Sequence, residues 1–184
     1  MSLSLVLDTT DEFESLLASG VPGTDRTLDV FFVDDVDLGA AGINVLGVAA
    51  HRPGPALRHG TQQSGVAVET RRIWNGNEAL AAHTTAHEVG HFLGLMHTSE
   101  VGGQRHDNLD DTPVSCDASD CWATNLMDPL LDPGGPDDAI TADQTFVLLR
   151  HPLVRLGDGT RYAPLPPAVG PLPDDVTPAF CGAR

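Results

Sequence analysis

A chain of 184 residues has the length of one domain, and 41% hydrophobic residues give it a core, which excludes a disordered chain. Its 26 acidic residues against ten Arg and no Lys leave a net charge of −16, the wrong sign for gripping nucleic-acid phosphates. No apolar run approaches the ~20 residues of a membrane span, so no membrane span is expected.

Asp outnumbers Glu by 20 to 6, and short carboxylates favour turns where they can also hold hard cations. Met1–Leu5 has neither a basic n-region nor a long apolar stretch and is not a signal peptide. The chain is therefore either cytosolic or a mature piece of an exported protein.

In chain order, Asp11–Leu17 predicts a short helix with Thr9 or Thr10 as its cap and acids in its first turn. The β-branched and aromatic run Thr27–Val36 predicts a strand, Asn44–Ala50 a second and Gly65–Glu69 a third. Trp74–Asn77 is a turn, and Glu78–Gly94 changes to a helical pattern that ends on a glycine suited to an αL cap. Residues 98–139 are mostly loop. Thr141–Arg150 predicts a last helix, with Thr141 and Gln144 spaced as a capping box. Six prolines between Pro164 and Pro178 predict an extended tail, which divides the chain into a domain at 1–151 and a tail or linker at 152–184.

The stretch His87-Glu88-Val89-Gly90-His91-Phe92-Leu93-Gly94-Leu95-Met96-His97 carries chemistry. Four residues apart on a helix, His87 and His91 project from one face and can reach one ion at ~2.0–2.1 Å. Glu88 is rotated by ~100° around the axis, so it flanks the ion without ligating it and can take a proton from a water there. A continuing helix would carry His97 about 9 Å beyond His91, so the chain must turn back, and Gly94 permits that turn. Three neutral imidazoles leave a fourth position for water, the layout of a catalytic zinc site. The competing reading, a metal-free helix with packed histidines, does not explain five positions that all suit one ion.

The motif resembles that of the metzincin metallopeptidases, H-E-x-x-H-x-x-G-x-x-H followed by a Met-turn. Asn125-Leu126-Met127-Asp128-Pro129 matches the Met-turn, in which Met127 would floor the metal. With Asp107–Pro113 and Thr141-x-x-Gln144, the likeness from about Gly65 to Arg150 is closest to the pappalysin branch. It implies an α+β, metzincin-like zincin fold: a small twisted sheet with an antiparallel strand at its rim, an active-site helix, a Met-turn and a helix near the end. A cleft would lie between that strand and the Met-turn.

The implied activity is a zinc endopeptidase with Zn²⁺ on His87, His91 and His97 and Glu88 as general base. A substrate would lie along Gly65, Val66, Ala67 and Val68, with Pro129, Leu130 and Leu131 walling its pocket. Pro129 stands where many relatives carry a Tyr, so no phenolic group is assigned to the transition state.

Asp107, Asp110, Asp111 and Thr112 form a candidate Ca²⁺ site, with an ordinary acidic turn as the alternative. A Cys116–Cys121 disulfide is expected across a four-residue loop, with Cys181 able to compete. Such a bridge would place the native chain outside the cytoplasm, its signal segment missing here. A monomer is expected. His83, one turn before His87, reads as packed or capping, and His106 as a loop residue that could border the cleft. His51, His59 and His151 carry no motif. The alternative class is an inactive metzincin-like recognition module, which would have no need for Glu88; a weaker one is a zinc hydrolase acting on something other than a peptide.

Overall fold

Strand formers and helix caps sort the chain into a sheet with a helix on each face. The computed structural model describes residues 5–23, 26–38, 44–73, 77–99, 106–112, 125–131, 139–157, 159 and 179–183. Its elements are β1 (Val6–Leu7), α1 (Thr10–Ala18), β2 (Val30–Val33), β3 (Asp35–Val36), β4 (Asn44–Ala49), β5 (Val66–Glu69), α2 (Glu78–Phe92), β6 (Leu130–Leu131), α3 (Ala142–Leu148) and β7 (Ala179–Ala183). The fold is of the mixed α+β class.

Thr9 caps α1 by accepting from the Glu12 N–H at 3.2 Å, and Asn77 caps α2 by accepting from Leu80 at 3.1 Å. Thr141 and Gln144 form the expected capping box of α3. The single strand expected over 27–36 is two. Asp34 donates its N–H to the Leu5 carbonyl, and β3 leaves the main sheet to pair with β1.

The five-stranded sheet runs β2-β5-β4-β7-β6. β4 is antiparallel to both of its neighbours, whereas β2 and β5, and β6 and β7, pair in parallel. This corrects the strand expected to receive substrate. Gly65–Val68 is not at a rim: β5 is hydrogen-bonded to β2 on one edge and to β4 on the other, and all four of its residues are buried. The physical reason is in its composition, since Val66-Ala67-Val68 is a continuous apolar run that suits a strand covered on both faces. The antiparallel strand is β4. Within the stretch expected as a tail, Ala179–Ala183 forms β7 beside it.

Alternation sends Leu7, Val33, Val45, Val48 and Ala67 toward Phe13 and Leu17 of α1. Leu46 and Val68 pack with Ala81 of α2, and Ala49 and Val66 with Phe92. A bulge between Val45 and Gly47 breaks the alternation of β4, so that Leu46 and Gly47 both face α2.

Candidate metal centre

α2 presents His87, Glu88 and His91, all fully buried. It stops in a Schellman arrangement: Gly94 donates to the His91 carbonyl and Leu95 to the Gly90 carbonyl, both at 2.9 Å. Gly94 has φ +112°, a backbone angle that disfavours any side chain. This turn folds the chain back and returns His97 to the helix.

The three Nε2 atoms converge at 3.0 Å (His87–His91), 3.0 Å (His91–His97) and 3.2 Å (His87–His97). Tetrahedral bonds of 2.0–2.1 Å put ligand nitrogens about 3.3 Å apart, so the spacing fits one small ion. Each helical imidazole is oriented by backbone. Nδ1 of His87 donates to the Leu126 carbonyl at 2.7 Å and Nδ1 of His91 to the Leu95 carbonyl at 2.8 Å, which frees both Nε2 lone pairs for a metal. Burial, reinforced by the neighbouring imidazoles, pushes the proton affinity of His87 and His91 well below the usual histidine range and keeps them neutral. Among the described residues, this trio is the one group of three His, Cys, Asp or Glu side chains spaced to hold a metal.

Glu88 sits beside the trio on the next position of α2. Both of its carboxylate oxygens are buried without a hydrogen-bond partner among the described residues. Burial pushes its proton affinity well above the usual carboxylate range, opposed by the charge of Arg52. A buried, unpartnered carboxylate is costly and suits a group that serves a water on an adjacent ion. Gly47 of β4 lies directly against it: a Cβ there would come 2.6 Å from Glu88 Cγ and 2.8 Å from Oε1.

Met127 is fully buried, with Sδ 2.8 Å from where a Cβ on Gly90 would lie. The turn that carries it is held from several sides. Met127 donates its N–H to Asn125 Oδ1 at 2.9 Å and accepts from the Thr98 N–H at 3.1 Å. The buried Asn125 and Gln144 amides exchange hydrogen bonds at 2.9 and 3.1 Å, which fastens α3 to the turn. Leu126, the acceptor for His87, belongs to the same turn.

Other expected residues fall elsewhere. The His83 ring centroid lies 6.5 Å from that of His87, outside the trio. His106 pairs with Ser99 in a short bridge. His151 donates to the Gly54 carbonyl at 2.9 Å, on the far side of Phe92.

The acids suggested for calcium do not gather. Asp107 accepts from Thr112 and Leu109, whereas Asp111 accepts from Thr141 Oγ1 at 2.7 Å and Asp143 N–H at 2.9 Å at the start of α3. Asp110 is exposed. The calcium expectation therefore has no support in this arrangement: Asp111 is turned to the start of α3, and among the described residues these acids do not form a group spaced to hold a metal. Pro129 is buried next to the turn, and Leu130 enters β6. Cys116 and Cys121 lie outside the described residues.

Gly47, and the pairing of Asn125 with Gln144, were not foreseen at the site. The first depends on a bulge. The amide pair carried a faint signal in Thr141-x-x-Gln144, which reads as a cap and is also a brace.

A model of the peptidase M43 family, described as pregnancy-associated plasma protein-A, matches residues 25–130, more than half of the chain. An extracellular metalloprotease of Arthroderma gypseum is 35% identical over 97 residues, covering 50% of this chain and 32% of that protein. The chain thus matches about a third of that relative's length. No solved structure matches significantly. With a buried histidine trio, a carboxylate beside it and a family match that spans both, the chain belongs to the peptidase M43, pappalysin-like family.

Proposed function

We propose that this chain is a zinc-dependent endopeptidase of the metzincin type. The observation that carries the reading is the convergence of three Nε2 lone pairs beside a buried carboxylate with no protein partner. His87, His91 and His97 would hold the ion. Zinc bound there supplies Lewis acidity toward a water and the scissile carbonyl.

The remaining steps belong to the chain. Glu88 takes the proton of the attacking water at its carboxylate and delivers it to the leaving amine. Its raised proton affinity keeps the transferred proton until the amine needs it. Gly47 lets Glu88 lie flat against β4, and Met127 forms the apolar floor of a Met-turn under the histidines. Pro129 and Leu130 help wall the pocket. The relative's description as extracellular supports a secreted protein.

The test is hydrolysis of an internally quenched peptide by the zinc-loaded chain. Chelator should abolish it and zinc restore it. Glu88→Ala should keep one zinc by elemental analysis yet lose on the order of 10²–10⁴ in kcat. Turnover that survives chelation, or a zinc-loaded Glu88→Ala with normal kcat, would refute the reading.

A further inference from the structure

β7 lies in an unusual place. It separates β4, the strand against which Glu88 packs, from β6, which begins three residues after Met127. Its register runs Ala179↔Ala49, Phe180↔Val48, Cys181↔Gly47, Gly182↔Val45 and Ala183↔Asn44. On its other edge Gly182 pairs with Leu130 and Ala183 with Leu131. Cys181 therefore stands in register opposite the glycine that touches the general base, and β7 also approaches α2.

Without β7, β4 would become the rim of the sheet. β6 would stand two strand spacings away, about 9.6 Å, across a slot one strand wide. Such a slot, open on the edges of β4 and β6 and bordered by the strand that packs on Glu88, has the dimensions of an extended peptide's binding site.

The sequence of β7 suits a removable strand. Ala-Phe-Cys-Gly-Ala has no β-branched residue, and Ala and Gly are poor strand formers. Residues 160–178, with six prolines, have the composition of a spacer rather than of packed structure.

We propose that Ala179–Ala183 is a tethered self-inhibitor that occupies the slot between β4 and β6 taken by an extended peptide substrate. The inference rests on the peptidase reading for the identity of that substrate. A tether of this length supplies an effective concentration of about 1 mM. A segment that binds as a free peptide at about 100 µM would then fill the slot in about ten of every eleven molecules. Competition of this kind raises apparent KM about tenfold and leaves kcat unchanged.

The experiment compares three zinc-loaded proteins: the full chain, the full chain with Gly182→Pro, which removes a backbone donor from β7, and a chain ending at Pro178. Quenched-peptide hydrolysis gives KM and kcat. Binding of a fluorescein-labelled Val176–Arg184 peptide is measured in a Glu88→Gln background so that it is not cut.

Both altered chains should melt cooperatively, keep zinc, show KM about tenfold lower at unchanged kcat, and bind the labelled peptide at least tenfold more tightly than the full chain. Loss of cooperative melting in both altered chains would make β7 a structural strand and overturn the proposal. Equal peptide binding by all three proteins, or binding by none, would overturn it as well. Peptide binding gained in both altered chains without hydrolysis by any protein would sustain the slot and refute the peptidase reading.

Discussion

The proposed role of Glu88 rests on what does not surround it. Among the described residues its carboxylate has no donor to satisfy it, and Gly47 of β4 brings no side chain against it. Gly47→Ala would put a methyl group 2.6 Å from Glu88 Cγ, and full burial leaves the side chain no open space to yield into. We expect Gly47→Ala to keep its zinc, since no ligand moves, and to lose about 10²-fold in kcat, the scale of a 1 Å misplacement of a reacting group. Elemental analysis beside steady-state kinetics checks this; unchanged kcat would remove Gly47 as a positioning residue. The histidine cluster was legible because metal binding demands that residue type at fixed helical spacings. Gly47 was not, because its position comes from a bulge that pairing with distant segments creates.

At the scale of elements, the end of α2 does the assembling. One glycine reverses the chain so that His97 meets a helix it would otherwise overshoot. A Cβ on Gly94 would meet Val147 at 3.4 Å and Pro53 at 3.6 Å, ordinary contacts, so the cost of Gly94→Ala comes from the backbone angle. That substitution should destabilise the fold by about 1–3 kcal/mol and weaken zinc binding, read by thermal melting and by competition with a chromogenic chelator. Wild-type melting and affinity would mean that the turn relaxes without harm.

Helix ends were the best-read parts of the sequence. Thr9, Gly94 and the Thr141–Gln144 box each name a local hydrogen bond or backbone angle, and local physics needs no partner. Strand placement was read less well. Val66-Ala67-Val68 was read as a strand open to substrate although its continuous apolar run suits burial, and which strands flank it is decided by segments far along the chain. The two-residue β1 and β6 are too short to leave a pattern, and β7 follows prolines that point to a spacer.

Across the whole molecule, His151 joins the end of α3 to the segment after β4. Its Nε2 donates to Gly54, and its Nδ1 accepts from the Leu153 N–H at 3.3 Å, an arrangement open to the neutral ring alone. Burial pushes its proton affinity below the ordinary value. As pH falls below about 6.5 the unfolded chain takes up a proton that the folded chain refuses. Stability from this group is thus complete above that pH and is lost as pH falls from there through the lower range in which the folded ring titrates. Melting temperatures at pH 7.5 and 5.5 should fall less for His151→Gln than for the wild type; equal falls would take His151 out of the acid response.

The packing of Met127 on Gly90 carries an oxidative consequence. A sulfoxide needs room for an added oxygen on sulfur, and that sulfur is fully buried, with its neighbouring helix already reduced to a bare backbone at the contact. Met96, 42% exposed on the turn after α2, meets peroxide in the folded protein. Met127 meets it when the turn opens, and once oxidised it no longer fits against Gly90. The buried thioether of Met127 would thereby act as a clock for opening of this turn, and each opening in an oxidising medium risks being the last.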